Sequence, residues 1–373
     1  MRYYKIVISN SSGAAVKTWT SHPNGNQAPP DPGALMIELD AFNAWQGTPL
    51  PGSYVRIWGI SLDDINQARN LNGMDVSVYG GMGKGLPLAN PAEAGLLIQG
   101  HIQQAFANWV GTTMTLDIIM VAGTITAGTA APQNIHFDWP AGQQMAQAIR
   151  NTLSILLPKA TLNINIDPKL VLPNTETHFA ATIGQLAEYF TEISRKVINT
   201  GPALAGQFNT PNNALSTYPG VQVHIDGPTV TVADGTTQAT PKAISIFDLI
   251  GQPTWIGFNI IQVTCVMRGD VKVGDFITLP KTRATITPAS YSAYSQERQD
   301  IIFQGTFYVM KVHHVGNYKS PDALAWVTVF DAITQTQTTD GQASIPTASA
   351  PENPLVPSGP RDVSVSIGDL TVQ

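Results

Sequence analysis

Gly100-His101-Ile102, then Asn108-Trp109-Val110-Gly111-Thr112, then Met114-Thr115-Leu116-Asp117-Ile118-Ile119-Met120 reads as a strand, a short loop and a second strand. The same closure returns near the far end of the chain. There Phe307-Tyr308-Val309-Met310-Lys311-Val312 is followed by a polar loop and by Leu324-Ala325-Trp326-Val327-Thr328-Val329-Phe330-Asp331. Two versions of one strand unit in a single chain predict two similar β-barrels. A trimer of such a chain would present six similar surfaces, which suits contact between a six-fold and a three-fold object.

Outward from the first closure, the chain alternates with a period of two. Leu35, Ile37, Leu39 and Ala41 alternate with Met36, Glu38, Asp40 and Phe42. Val55 and Ile57 alternate with Tyr54, Arg56 and Trp58, and Met74, Val76 and Val78 with Asp75, Ser77 and Tyr79. Such runs are half-buried strands, and Gly59, Gly73, Gly80 and Gly81 punctuate them. Ser61–Gln67 reads as one helical turn or a loop. Residues 1–122 are therefore expected to form the first β-barrel domain. Residues 123–133 (GTITAGTAAPQ) are small and polar, as in a linker.

The period then changes. Residues 134–250 are expected to form a small α+β domain. Asn134–Trp139 reads as a strand, and Met145, Ile149, Leu153 and Leu156 share the face of a helix that Pro158 ends. Thr161–Ile166 alternates as a strand. A second helix runs from about Thr182 to Asn199, with Thr182 and Gln185 as a capping pair. Ile183, Leu186, Phe190, Ile193 and Val197 form its apolar stripe. Val221–Ile225 and Thr229–Val232 read as a hairpin. Strands return at Ile260–Val266 and Gly274–Pro280, so residues 251–334 are expected to be the second barrel. The fold class is mainly β with an α+β insert.

The composition limits the function. Charged residues make up 12% of the 373 positions, about half the usual share of roughly 25%, so neighbouring copies repel weakly and close packing is tolerated. The net charge of −6, without a basic run, gives no footprint for nucleic acid. No stretch of 18 apolar residues predicts a membrane segment, and the strand-like start, Met1–Ile8, has no signal-peptide pattern. The single cysteine, Cys265, excludes an intrachain disulfide framework and reads as an inert core thiol.

Candidate chemistry is sparse. Gly80-Gly81-Met82-Gly83-Lys84-Gly85 resembles a phosphate loop but lacks the Ser or Thr after its lysine, and Pro87 and Pro91 oppose a following helix. It reads as a glycine hairpin or surface loop. His313 and His314, adjacent in a strand, point to opposite faces. His224 and Asp226 share a face but have no nucleophile. Glu38 and Asp40 share a strand face as a possible acid pair, and Trp45, Trp58, Trp109 and Trp139 could stack sugars, although tryptophans more often close barrels. No catalytic, cofactor or metal residue is predicted.

Several runs carry a family resemblance. They are Val55-Arg56-Ile57-Trp58-Gly59-Ile60, Asn72–Met82, Gly85-Leu86-Pro87-Leu88, the closure at 100–117, Arg268-Gly269-Asp270-Val271-Lys272-Val273-Gly274-Asp275 and the strand at 324–330. Together they resemble the baseplate hub proteins of tailed bacteriophages, most closely those with contractile tails, over most of residues 1–334. The resemblance implies a homotrimer whose two tail-tube-like barrels per subunit make a pseudo-six-fold ring. It implies as partners the tail tube or a tube-initiator protein above, the central spike below, tape-measure protein in the lumen and baseplate wedge proteins outside. It also implies a place in the virion tail after assembly in the host cytoplasm, and a structural role without enzyme activity. The alternatives are a virion carbohydrate- or cell-wall-binding protein and a tail-associated hydrolase.

Residues 335–373 lie outside the resemblance. They hold five prolines, no aromatic residue, and four acids against Arg361. Such a segment is expected to be an extended C-terminal arm that orders only on a partner. Val363, Val365, Ile367 and Leu370 are its expected docking residues, by strand addition to a neighbouring sheet.

Overall fold

The structure is a computed structural model describing residues 1–46, 52–85, 90–122, 134–158, 160–200, 218–236, 240–257, 260–283, 302–334, 337–339 and 342–344. The expected linker at 123–133 and the docking residues Val363, Val365, Ile367 and Leu370 lie outside the described residues.

The first unit contains β1 (Arg2–Ser9), β2 (Ala15–Thr20), β3 (Met36–Ala44), β4 (Ser53–Trp58), α1 (Leu62–Gln67), β5 (Asp75–Met82), β6 (Gly95–Val110) and β7 (Thr113–Ala122). Its strands neighbour one another in the order β3-β4-β7-β6-β5-β1-β2, all antiparallel. Every strand contributes to one cluster, by alternate residues except in β2, which gives Trp19 alone; Tyr4, Ile6, Ile37, Val55, Val76, Ile98 and Ile118 are among its members. Trp19 and Ile37 belong to the two ends of that strand path. A sheet whose ends share one core has rolled into a barrel. Ser61 caps α1 through a reciprocal bond with Asp64.

The expected loop at Asn108–Thr112 is corrected. β6 runs unbroken to Val110, pairing Asn108 with Thr115 and Val110 with Thr113. Only Gly111 and Thr112 turn the chain, and Gly111 supplies the positive φ (62°) that a two-residue hairpin requires.

The insert contains β8 (Ile135–Trp139), α2 (Met145–Leu156), β9 (Thr161–Asn165), β10 (Glu176–Ala180), α3 (Ile183–Thr200), β11 (Gln222–Asp226) and β12 (Thr229–Ala233). β8 pairs with β10, while β12 pairs with β11 and, in parallel, with β9. The predicted helix faces bury as their spacing requires: Met145, Ile149 and Leu153 from α2, and Ile183, Leu186, Phe190 and Val197 from α3, join Phe137, Trp139 and Val230 in one core. The start of α3 differs from a strict capping box. Gln185 N–H donates to Thr182 Oγ1 (3.2 Å), but the Gln185 side chain accepts from Ala181 N–H (2.9 Å), one residue earlier.

The second unit contains β13 (Lys242–Ala243), β14 (Thr254–Trp255), β15 (Ile260–Val266), β16 (Phe276–Arg283), β17 (Ile302–Asn317) and β18 (Trp326–Thr334). Its strand order, β14-β15-β18-β17-β16-β13, matches β3-β4-β7-β6-β5-β1 strand for strand. The match extends to lengths and irregularities. β6 and β17 are both 16 residues long, and β5 and β16 are both 8. Each long strand pairs first with the strand before it and then with the strand after it. Gly100 and His101 belong to both pairings in β6, as Phe307 and Tyr308 do in β17. The register shift follows at once in both, between Ile102 and Gln104 and between Val309 and Lys311. A constant offset of 207 thus carries Gly95 onto Ile302, the bulge at Gln103 onto that at Met310, and Val110 onto Asn317. The repeat departs at β13, which is two residues long and parallel to β16, whereas β1 is antiparallel to β5.

The two units are fused edge to edge. Lys311–Asn317 of β17 pair with Ala44–Glu38 of β3, which makes one 13-stranded sheet among the described residues. Beyond β18, the described part of the arm is a short ribbon of β19 (Gln337–Thr339) and β20 (Gln342–Ser344).

Candidate functional site

The fusion of β17 to β3 aligns the solvent faces of both units, and a ladder of polar side chains crosses seven strands there. Asn108 of β6 donates to Asp117 Oδ2 (3.1 Å) of β7, and Asp117 Oδ1 accepts from Arg56 Nε (2.5 Å) of β4. Arg56 also lies 4.0 Å from Glu38 of β3, and Glu38 accepts from Asn317 Nδ2 (3.2 Å) of β17. Next along β3, Asp40 meets His313 Nε2 at 2.6 Å, and the His313 ring stacks on Phe42 with centroids 3.9 Å apart. On the second unit Lys311 lies 3.7 Å from Asp331 of β18, which accepts from Gln262 Nε2 (3.0 Å) of β15. The ladder holds four carboxylates against two fixed cations. Partners of opposite charge on neighbouring strands fix their register as well as adding stability.

Two further contacts hold the units in place. Arg268, with a side chain only 3% exposed, donates from Nε and Nη2 to both oxygens of Asp270 (2.8 and 2.7 Å). Its Nη1 lies 3.7 Å from Glu93 of the first unit and 3.8 Å from Asp248. Burial raises the Glu93 carboxyl above its ordinary range, and the Arg268 charge opposes that rise. At the other contact Trp45 is buried between His224 of the insert and Tyr308 of the second unit, at ring separations of 6.0 and 6.1 Å. His224 Nδ1 lies 3.0 Å from the Ala44 carbonyl, which can only accept, so that nitrogen carries the proton. Burial lowers the His224 pKa.

The residues considered for catalysis are separated by the fold. Glu38 and Asp40 do share a face, but each is engaged by the ladder. His224 is buried, and Asp226 pairs with Lys272 at 3.3 Å. His313 and His314 point to opposite faces as expected. His314 lies inside, 2.9 Å from Thr328 Oγ1, and its pKa is lowered to about 3 by burial, then by the charges of Lys272 and His313. Burial raises the Cys265 thiol pKa.

The tryptophans form no common platform. Trp139 is fully buried in the insert, Trp45 sits at the junction, and Trp109 is 62% exposed at the end of β6. The glycine run is corrected from a hairpin or loop: Gly80 and Gly81 lie inside β5. A Cβ on Gly81 would stand 2.5 Å from Ala94 Cα, and one on Gly80 would stand 2.5 Å from Leu97 Cδ1. Close approach, not phosphate binding, explains these two glycines. Sequence reasoning missed the Arg268 cluster and the β17–β3 pairing. The signal for the first was Arg268 two residues before Asp270.

No family model matches the chain, and no curated protein matches it. Among solved structures it is similar to the E. coli c3393 protein, a component of the type VI secretion system described as structurally similar to the T4 bacteriophage tail proteins gp27 and gp5. The TM-score is 0.42 at 11% identity, over 84% of this chain and 76% of that one. It is similar to a tail protein of Neisseria meningitidis MC58, with a TM-score of 0.45 at 10% identity over 93% and 99% of the two chains. The 43 kDa tail protein of prophage MuSo2 from Shewanella oneidensis gives 0.43 at 8% identity over 88% and 96%.

Proposed function

We propose that this chain is a structural subunit of a phage-type tail baseplate, a hub that forms a trimeric ring of six pseudo-equivalent barrels. The observation that carries the reading is the internal repeat: two units with one strand order, one long strand of equal length and one bulge position, fused edge to edge. Three such chains offer six similar units to a six-fold partner and three identical chains to a three-fold partner. The partners of this reading are the hexameric tail tube or its initiator on one side and the trimeric central spike on the other. Tape-measure protein would end in the lumen, and wedge proteins would meet the ring outside. The place of action is the virion tail, after assembly in the host cytoplasm. A structural role without enzyme activity is supported by the carboxylates of the ladder, each already engaged by a cation, an imidazole or an amide. No helix among the described residues is long and apolar enough to cross a membrane.

Native mass spectrometry, followed by imaging of the particles end on, tests the proposal. The expected species is about 120 kDa, three times the 39.9 kDa chain, with six density lobes around a three-fold axis. A chain that stays monomeric alone and with tail-tube and spike proteins overturns the hub reading. Release of reducing ends from cell wall, or oligosaccharide binding by the monomer, would favour a hydrolase or a glycan-binding protein.

A further inference from the structure

Each strand unit has one edge of each of two kinds, and among the described residues only one of the two possible junctions is made within the chain. The second half of β17 (Lys311–Asn317) receives β3. The equivalent stretch of β6, Gln104–Val110, pairs with β7 on one side and with no strand on the other among the described residues. Ala105 N–H points to that open side, where Asn72 Oδ1 accepts it at 2.6 Å. By alternation Ala107 and Trp109 present their N–H and C=O groups there too. β14, the counterpart of β3, ends the strand path at the other side of the sheet.

The repeat also transfers a register. In the internal junction His313 lies opposite Phe42. His313 corresponds to Phe106 through the common offset of β6 and β17. Phe42 corresponds to Ile256, because Asp40 pairs with Tyr54 as Thr254 pairs with Gln262. Phe106 and Ile256 are 36% and 45% exposed. In the same register Asn108, the first rung of the polar ladder, meets Thr254, which neighbours its last rung, Gln262.

We propose that β14 of a second copy of this chain adds to the open edge of β6, with Phe106 opposite Ile256 and Asn108 opposite Thr254. This inference rests on the hub reading and names its contact between subunits. The two edges differ, so the contact is head-to-tail and propagates around a ring instead of closing a pair. Three seams within chains alternate with three between chains, and the polar ladder becomes continuous around the ring. The seam between chains is the shorter, because Pro253 has no N–H to extend it.

The test is a pair of cysteines, Phe106→Cys with Ile256→Cys, in the full chain. The proposed pair does not exchange backbone hydrogen bonds, the arrangement that brings side chains closest across strands, and the native Cys265 is buried and does not compete. After oxidation with a copper catalyst, denaturing gels without reductant should show covalent multimers, absent from either single variant. A second variant, Ala107→Pro, removes an outward N–H at an edge where proline is tolerated. It should reduce the native mass to that of one chain while leaving the far-ultraviolet dichroism unchanged. If the wild type assembles, but the double-cysteine variant forms no covalent multimer and Ala107→Pro keeps the assembled mass, the proposed seam is overturned and the hub reading stands. A wild-type chain that is monomeric, alone and with its tail partners, overturns both.

Discussion

Two buried charge sites set measurable properties residue by residue. The substitution Arg268→Met leaves Glu93, Asp248 and Asp270 without their shared cation, and breaking a buried pair in this way costs about 3–5 kcal/mol. Urea unfolding at pH 7 checks the size of the loss. Glu93 already has a raised pKa, so the folded state binds its proton more tightly than the unfolded state does. Stability from such a group is present at low pH and is lost as pH rises through the folded pKa. The Arg268→Met variant should therefore regain part of its deficit between pH 7 and pH 5. His314 acts in the opposite direction. Its folded pKa of about 3 lies below the ordinary 6.5, so its contribution is full above pH 6.5 and is lost as pH falls toward 3. The loss is at most about 1.4 kcal/mol per pH unit. The urea midpoint of His314→Gln should fall less steeply between pH 7 and pH 5 than that of the wild type, with His224 leaving a residual slope in the same direction. The sequence foretold that His313 and His314 face opposite ways, because strand alternation depends only on neighbours. It could not show that Arg268 is buried among three acids, because Glu93 comes from the other unit.

Elements with a strong local period could be read directly. The stripe Ile183, Leu186, Phe190 and Val197 buries as its spacing predicts, and Phe190 packs edge-on to Phe137 with centroids 4.9 Å apart. Phe190→Ala should cost about 3–5 kcal/mol, measured by thermal or denaturant unfolding of the whole chain. A loss below about 0.5 kcal/mol would mean that this face is not part of the insert core. The hairpin of β11 and β12 was equally plain, with Gly227 at φ 59° turning it. The length of β6 was not. Asn108 and Trp109 look like loop residues in isolation, and only pairing with Met114 and Thr115 makes them strand. The junction of β17 with β3 had no local signal at all, since it joins strands about 270 residues apart in the sequence.

For the whole molecule, the repeat was visible as two similar closures, but its strength lies in register, which a sequence does not display. The C-terminal arm is tested by ending the chain after Thr334, the last residue of β18, which pairs with Phe307. The core should unfold at an unchanged urea midpoint, while recruitment of the spike in a pull-down fails if the arm is a docking strand. Undiminished recruitment would remove that role. The β17–β3 pairing also bears on synthesis. Once Ala44 has left the ribosome, about 270 residues must follow before Asn317 can complete the partner strand, which takes between roughly 15 seconds and a minute at about 5–20 residues per second. Throughout that interval the first barrel has a bare edge, the kind of surface that recruits stray strands. Glu38 and Asp40, which the finished protein engages with Asn317 and His313, stand on that edge as negative charges while it waits, Glu38 with Arg56 of its own unit 4.0 Å away. Charged side chains on an exposed edge disfavour pairing with stray strands, and His313 and Asn317 take over that edge once β17 is made.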